Sequence, residues 1–207
     1  NQIYDKDSVH VHIMHGDITT QKDVNSQNII SKIGNEVRSY AKSQHYHAKD
    51  FKQIIHIIDT DGVYIPDDKI IDEPNRGKIL YGNDGIHTAN RQLIIRRNKQ
   101  KKENLYRLRT TGEIWKIPYQ VYYMSCNLDH VLHNKRNSTD EEKENDAYAF
   151  AQKYRRDLDG FVNFICMSEV AVGGGYKESW EYIENGMNSI ERHTNLGICI
   201  KEEMRSV

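Results

Sequence analysis

Cysteine is scarce in this chain and never paired in sequence. Cys126, Cys166 and Cys199 are the only three in 207 residues, with no CxxC spacing and no even-numbered framework, which excludes a secreted-type disulfide scaffold and a zinc knuckle. Long apolar runs are missing as well. Stretches such as Ile54 to Ile58 last only a few residues, hydrophobic residues make up 37% and mean hydropathy is -0.80, so no transmembrane helix is expected and a membrane is not a partner. Neither charge sign is in excess: 29 Lys+Arg face 30 Asp+Glu for a net charge of -1, so no general electrostatic pull dictates a ligand. No apolar signal-peptide core follows Asn1, and the expected compartment is the reducing cytoplasm. Internal repeats and low-complexity segments are also lacking. The length suits a single domain, residues 1–207, with a real core.

Several segments carry clear periodicity. Val9, Val11 and Ile13 alternate with His10, His12 and Met14, the pattern of a strand with one buried face. From Val24 to Ala41 apolar residues recur at three-to-four spacing, which predicts an amphipathic helix. Phe51 to Asp59 is rich in β-branched residues and reads as a central strand covered on both faces. Pro66, Pro74 and the glycines up to Gly85 predict a long irregular connection, a common place for function. A mixed helical pattern runs from Thr88 to Arg109, a strand from Ile117 to Met124, and a short helix through Leu128 to Leu132. Ser138 with Glu141 has the spacing of a capping box opening a charged helix to about Leu158. Trp180, Ile183, Met187 and Ile190 mark a last amphipathic helix after the flexible Gly173-Gly174-Gly175. This alternation predicts an α/β fold: a three-layer sandwich with a mainly parallel sheet, of Rossmann-like type, over 9–134, followed by a helical extension over 138–207. In such sheets ligands sit at the carboxyl ends of strands, where Asp17, Asp59 and Ser125 fall.

The sharpest motif is Ile57-Ile58-Asp59-Thr60-Asp61-Gly62. Two carboxylates one residue apart at a strand tip suit a hard, oxygen-seeking cation such as magnesium or manganese. The plainer reading is that Asp and Gly end a strand as turn formers. An apolar strand that delivers a carboxylate to the edge of a core needs compensation, and this favours the metal.

Two families share the signature. Asp59-Thr60-Asp61-Gly62 resembles the opening Asp-x-Asp-Gly of the haloacid-dehalogenase-like phosphatases. That resemblance implies Asp59 as phosphate-accepting nucleophile, Asp61 as general acid/base, and Ser125 as a phosphate-binding hydroxyl. The downstream acidic pair of that family is absent, and about fifty residues precede a motif that normally lies on its first strand. The order of elements instead resembles the Toprim-like domain of overcoming-lysogenization-defect nucleases and RloB-like phage-defence proteins. There Asp59-Thr60-Asp61 is similar to the family's Asp-x-Asp. Ser125-Cys126-Asn127-Leu128-Asp129-His130-Val131-Leu132-His133 is similar to the RloB-like Ser-Asn-Pro-x-Phe-Glu-x-Trp-x-x-x-His, without its Pro, Phe and Trp. The resemblance implies magnesium on Asp59 and Asp61 and cleavage of phosphodiesters. The family's first-strand glutamate has no counterpart in residues 1 to 15, and Asp17 is the nearest substitute as a third metal ligand.

The cluster Arg91, Arg96, Arg97, Lys99, Lys101 and Lys102 can track a nucleic-acid backbone, or form a solvated helix face. His130 and His133 share a helix face, and His130 is a candidate acid/base beside Asp59, or a satisfied core histidine. His10 and His12 share a strand face but lack a third metal ligand. Gly173-Gly174-Gly175 has neither P-loop nor dinucleotide spacing. Cys126 has no paired base. Thirteen tyrosines and the last helix's apolar stripe suit a homo-oligomer or a protein partner. The leading expectation is therefore a magnesium-dependent nuclease or nucleic-acid-processing protein of phage defence. Its rivals are the phosphatase and a catalytically silent Toprim-like sensor or interaction module.

Overall fold

The computed structural model describes residues 11, 12, 14 and 16–205. Of the expected first strand, Val9, His10 and Ile13 lie outside the described residues, as do most of residues 1 to 15; Val11, His12 and Met14 are described and belong to no strand, and Val11, expected on the buried face, is 78% exposed. Among the described residues the chain is mixed α/β. In chain order the elements are α1 (Ile29–Ser43), β1 (Ile54–Asp59), β2 (Ile70–Asp72), β3 (Leu80–Tyr81), β4 (Ile86–Thr88) and α2 (Arg91–Arg109). They continue with β5 (Glu113–Ile114), β6 (Ile117–Met124), α3 (Leu128–His133), α4 (Asp140–Tyr154), α5 (Leu158–Met167), α6 (Tyr176–Ile183) and α7 (Leu196–Arg205). The strands form two three-stranded sheets, ordered β1-β6-β5 and β2-β4-β3.

The described chain divides into two compact units built from interleaved segments. One comprises residues 59–94 and 123–205, the other residues up to 58 and 95–122.

In the second unit β6 occupies the middle of its sheet and is the most thoroughly buried strand. β1, expected to be covered on both faces, leaves Ile57 47% exposed. β5 and β6 pair antiparallel across Trp115-Lys116, both with positive φ (54° and 62°). Two left-handed residues are what a tight hairpin needs to match strand twist, although neither is the usual Asn or Gly. Gly34 on α1 brings the helix close to Ile114, since a Cβ there would meet that side chain at 3.4 Å.

In the first unit β2 and β4 run parallel while β3 and β4 are antiparallel. The expected irregular connection thus contains three short strands. Gly85 has φ 149°, and a Cβ there would run into the Lys69 carbonyl, so only glycine allows β4 to start this close to β2. The helical parts pack around Met124, Val131 and Val170, and around Ile165, Cys166 and Ile200.

Helix ends differ from expectation in ways that capping explains. The capping box is Thr139 with Glu142, one residue later than Ser138 with Glu141: Thr139 Oγ1 accepts from Glu142 N (3.3 Å) and Glu142 Oε2 from Thr139 N (2.8 Å). The charged helix stops at Tyr154, and Asp157 caps a separate α5 by accepting from Gly160 N (2.9 Å). The last expected helix is α6, which ends at Ile183, so Met187 and Ile190 follow in turns; α7 then runs beyond them.

Candidate functional site

The turn after β1 is held almost entirely through its backbone. Thr60 N donates to Met124 O (3.0 Å), Asp61 N to Cys126 O (2.7 Å) and Gly62 N to Ser189 O (3.1 Å). The buried Thr60 hydroxyl adds a bond to the same Ser189 carbonyl (2.6 Å). Asp61 and Gly62 both adopt positive φ, 50° and 65°. A non-glycine residue in this region is costly and persists where its surroundings over-determine it. The segment facing the turn is similarly constrained, with Cys126 at φ 28°.

Each carboxylate of the turn has a distinct partner. Asp59 Oδ1 accepts from Leu128 N (2.9 Å), the first residue of α3. Asp61 Oδ1 accepts from the Tyr81 hydroxyl at 3.4 Å. Tyr81 is itself clamped, because Asn137 Oδ1 accepts from Tyr81 N (2.9 Å) while Asn137 Nδ2 donates to Tyr81 O (3.0 Å). The side-chain amide thereby satisfies both backbone polar groups of one strand residue, as a neighbouring strand does. Neither Tyr81 nor Asn137 stands out by sequence pattern; the one pointer, that long connections carry function, reaches Tyr81 and not Asn137, which lies between α3 and α4.

His130 is a core residue with one ring nitrogen engaged and its buried Nδ1 without a hydrogen-bond partner. It is 3% exposed, and its Nε2 accepts from Arg136 Nε (3.2 Å). Burial, aided by the Arg136 charge, pushes the imidazole down to about 4, so it is neutral near pH 7 and its acceptor nitrogen is occupied. His133 packs edge-on against Phe150. Ser125 is buried, and its hydroxyl donates to Asn188 O (2.7 Å).

Asp17 belongs to the other compact unit and is engaged there. Its Oδ2 lies 2.8 Å from Lys101 Nζ, and its Oδ1 accepts from Thr19 N (2.9 Å) and Thr19 Oγ1 (2.5 Å). Burial pushes this carboxyl up, but the Lys101 ammonium and the hydrogen bonds from Lys101 and Thr19 outweigh it and hold the group below the usual range. Both Asp17 oxygens are thus engaged by Lys101 and Thr19 in its own unit. Among the described residues no group of three or more His, Cys, Asp or Glu side chains is arranged to hold a metal.

The basic run on α2 separates by exposure. Arg96 and Lys99 are exposed, while Arg97 and Lys102 are partly buried. Arg97 donates to Asn98 Oδ1 (2.8 Å). Lys101 has no exposed side-chain surface, which corrects its place in a backbone-tracking set. Arg91 donates to the carbonyls of Ile70 (2.9 Å) and Asp67 (2.6 Å), a structural task. No helix among the described residues is long and apolar enough to cross a membrane. No family model, curated protein or solved structure matches the chain.

Proposed function

We propose that Asp59 and Asp61 hold magnesium or manganese and that the chain cleaves or processes nucleic-acid phosphodiesters, with defence against phage as its setting. The observation that carries this reading is the turn itself. Two carboxylates one residue apart stand on a backbone pinned by three N–H···O bonds, with Asp61 kept in a left-handed conformation. Such pre-organisation exceeds what ending a strand requires. The donor set fits the ion, because magnesium is commonly bound through one or two carboxylates and keeps several waters. When bound, the metal supplies charge stabilisation at the phosphoryl oxygens and an activated water.

In this reading Asp59 and Asp61 are ligands, the Leu128 N–H orients Asp59, and the Tyr81 hydroxyl orients Asp61. Exposed Arg96 and Lys99, with Arg97 and Lys102, contact the nucleic-acid backbone. The mixed α/β architecture then belongs to the three-layer Toprim-like class, to which the parallel β2 and β4 lend support. The phosphatase alternative needs the Ser125 hydroxyl for phosphate, and that hydroxyl is buried and bonded to Asn188.

The test is a magnesium and manganese titration of wild type against Asp59→Ala/Asp61→Ala, with plasmid DNA, RNA and a phosphomonoester assayed in parallel. Nucleic-acid cleavage that disappears in the double variant is expected. Hydrolysis of the monoester alone, with phosphate trapped on Asp59, would move the assignment to the phosphatase. Absence of metal binding by wild type would remove both enzyme readings and leave the interaction module.

A further inference from the structure

Arg136 follows α3 and is partly buried, yet its side chain bonds only to neutral groups. Nε donates to His130 Nε2 (3.2 Å), and Nη1 donates to Asn83 Oδ1. Among the described residues no ion pair joins it to a carboxylate. Two other partly buried guanidiniums have a carboxylate partner, Arg76 with Glu73 at 2.5 Å and Arg192 with Glu169 at 3.1 Å, whereas Arg91 is held by the carbonyls of Ile70 and Asp67. A partly desolvated cation without a counter-charge is costly. The nearest imidazole supplies no counter-charge in either protonation state, and burial together with this same charge keeps His130 neutral.

The two bonds also fix the plane of the guanidinium. Nε and Nη1 are committed, and the Nη2 edge takes part in neither bond. A planar fork held from two sides, with one edge remaining, is the arrangement that recognises phosphate oxygens.

Its surroundings connect it to the carboxylate turn. Asn83 lies two residues beyond Tyr81, whose hydroxyl reaches Asp61. Asn137, next to Arg136 in sequence, clamps the Tyr81 backbone. Asn127 Nδ2 donates to Arg136 O (2.9 Å), and Asn127 follows Cys126, whose carbonyl receives Asp61 N. The segments that present Arg136 are therefore those that hold Asp61.

We infer that Arg136 is the phosphate-binding residue of the Asp59/Asp61 site, presenting its Nη2 edge to a non-bridging oxygen of a nucleic-acid phosphodiester. This rests on the reading that the site handles phosphodiesters, and adds the group that recognises them. His130 and Asn83 are positioning residues for the guanidinium.

The experiment measures binding of a labelled single-stranded DNA oligonucleotide to the full chain in EDTA, over a series of salt concentrations, for wild type, Arg136→Gln and Arg136→Lys. Arg136→Gln is expected to weaken binding about tenfold, the loss of one charge-assisted hydrogen bond. The slope of log K against log salt is expected to flatten by about 0.7, as when one single-strand phosphate contact is lost. Arg136→Lys restores the slope but not the full affinity, since it keeps the charge and loses the fork. The proposal is overturned if wild type shows no salt-dependent binding, or if Arg136→Gln leaves affinity and slope unchanged. Weaker binding with an unchanged slope also overturns it, because that pattern marks a merely structural arginine. Manganese titration separates the two claims. A wild type with the Arg136-dependent slope and no manganese binding fails the metal reading and keeps this one. Manganese binding with an indifferent Arg136→Gln does the reverse.

Discussion

The Lys101 ammonium lies 2.8 Å from an Asp17 carboxylate oxygen, with none of the lysine side chain exposed and 31% of the aspartate's. Three further bonds on the same helix tie it to this segment: Asn104 Nδ2 donates to Thr19 O (2.8 Å), and Gln100 Nε2 donates to Gln21 O (2.7 Å) and Val24 O (2.8 Å). The 17–24 segment is thus docked on α2 by polar contacts. Asp17→Asn, which removes a counter-charge from a buried ammonium, is expected to cost about 3 kcal/mol in urea unfolding. Because the folded carboxyl is held below its ordinary value of 3.8, its contribution is fully present above that value and is lost as pH falls through the lower folded-state value. The substitution should remove this acid-sensitive component. Equal stability of the variant and wild type at neutral pH would contradict the pairing.

Two histidines, the partly buried His56 and the buried His130, titrate in the opposite sense from a salt-bridged one. Burial pushes His56 and His130 from 6.5 to about 4. Between those values the unfolded chain binds protons that the folded chain does not, so stability rises with pH from about 4 to 6.5 and is flat for these groups outside that window. A displacement of this size corresponds to roughly 3 kcal/mol for each ring. Unfolding measured across the window should show this slope, and His56→Gln and His130→Gln should each flatten it. A pH-independent wild type would show that the rings are accessible to protons in the folded state.

Gly62 is the point at which the carboxylate turn can least tolerate a side chain. At φ 65° an added Cβ would meet Ile86 Cδ1 at 3.0 Å. Gly62→Ala should therefore destabilise the protein by about 1–2 kcal/mol from backbone conformation alone, and divalent-ion affinity should fall with it as the neighbouring Asp61 is displaced. Thermal unfolding and manganese titration on the same samples read the two effects. A stable variant with full ion affinity would show that the turn is less constrained than its hydrogen bonds imply.

Tyr81→Phe removes the hydroxyl that reaches Asp61. Loss of a partner that orients a metal ligand typically lowers metal affinity about tenfold or more; at 3.4 Å the effect should fall toward the low end of that range. Asn137→Ala, which releases the Tyr81 backbone, should reproduce the loss. Isothermal titration with manganese checks both, and wild-type affinity in Tyr81→Phe would remove the tyrosine from the site.

Legibility in the sequence followed the range of the interactions involved. β6 matched its predicted span, because an eight-residue strand with β-branched and aromatic residues carries its own signal. α1 was visible as a helix, though it begins at Ile29 rather than Val24. β5 was invisible, since Trp115 and Lys116 are unusual residues for a two-residue hairpin. The β3–β4 hairpin was hidden by shortness, and its Gly82 to Gly85 turn read only as loop. At the candidate site the Asp59-Thr60-Asp61-Gly62 motif could be read locally. Tyr81, Asn137 and Arg136 could not, because their roles come from contacts spanning 20, 56 and 53 positions. Lys101 shows the converse: its charge was legible, and its burial against Asp17 was not.

The bond from Thr60 to the Ser189 carbonyl spans 129 positions. A ribosome that has delivered Asp59 and Asp61 must continue to Ser189, 129 positions past Thr60, before the last of the residues that anchor their turn exists. Contacts of such long range form late and slow folding. The carboxylate pair is therefore synthesised early and assembled late, so in the proposed function a nascent chain cannot engage nucleic acid through a finished site before residue 189 has been made and has emerged.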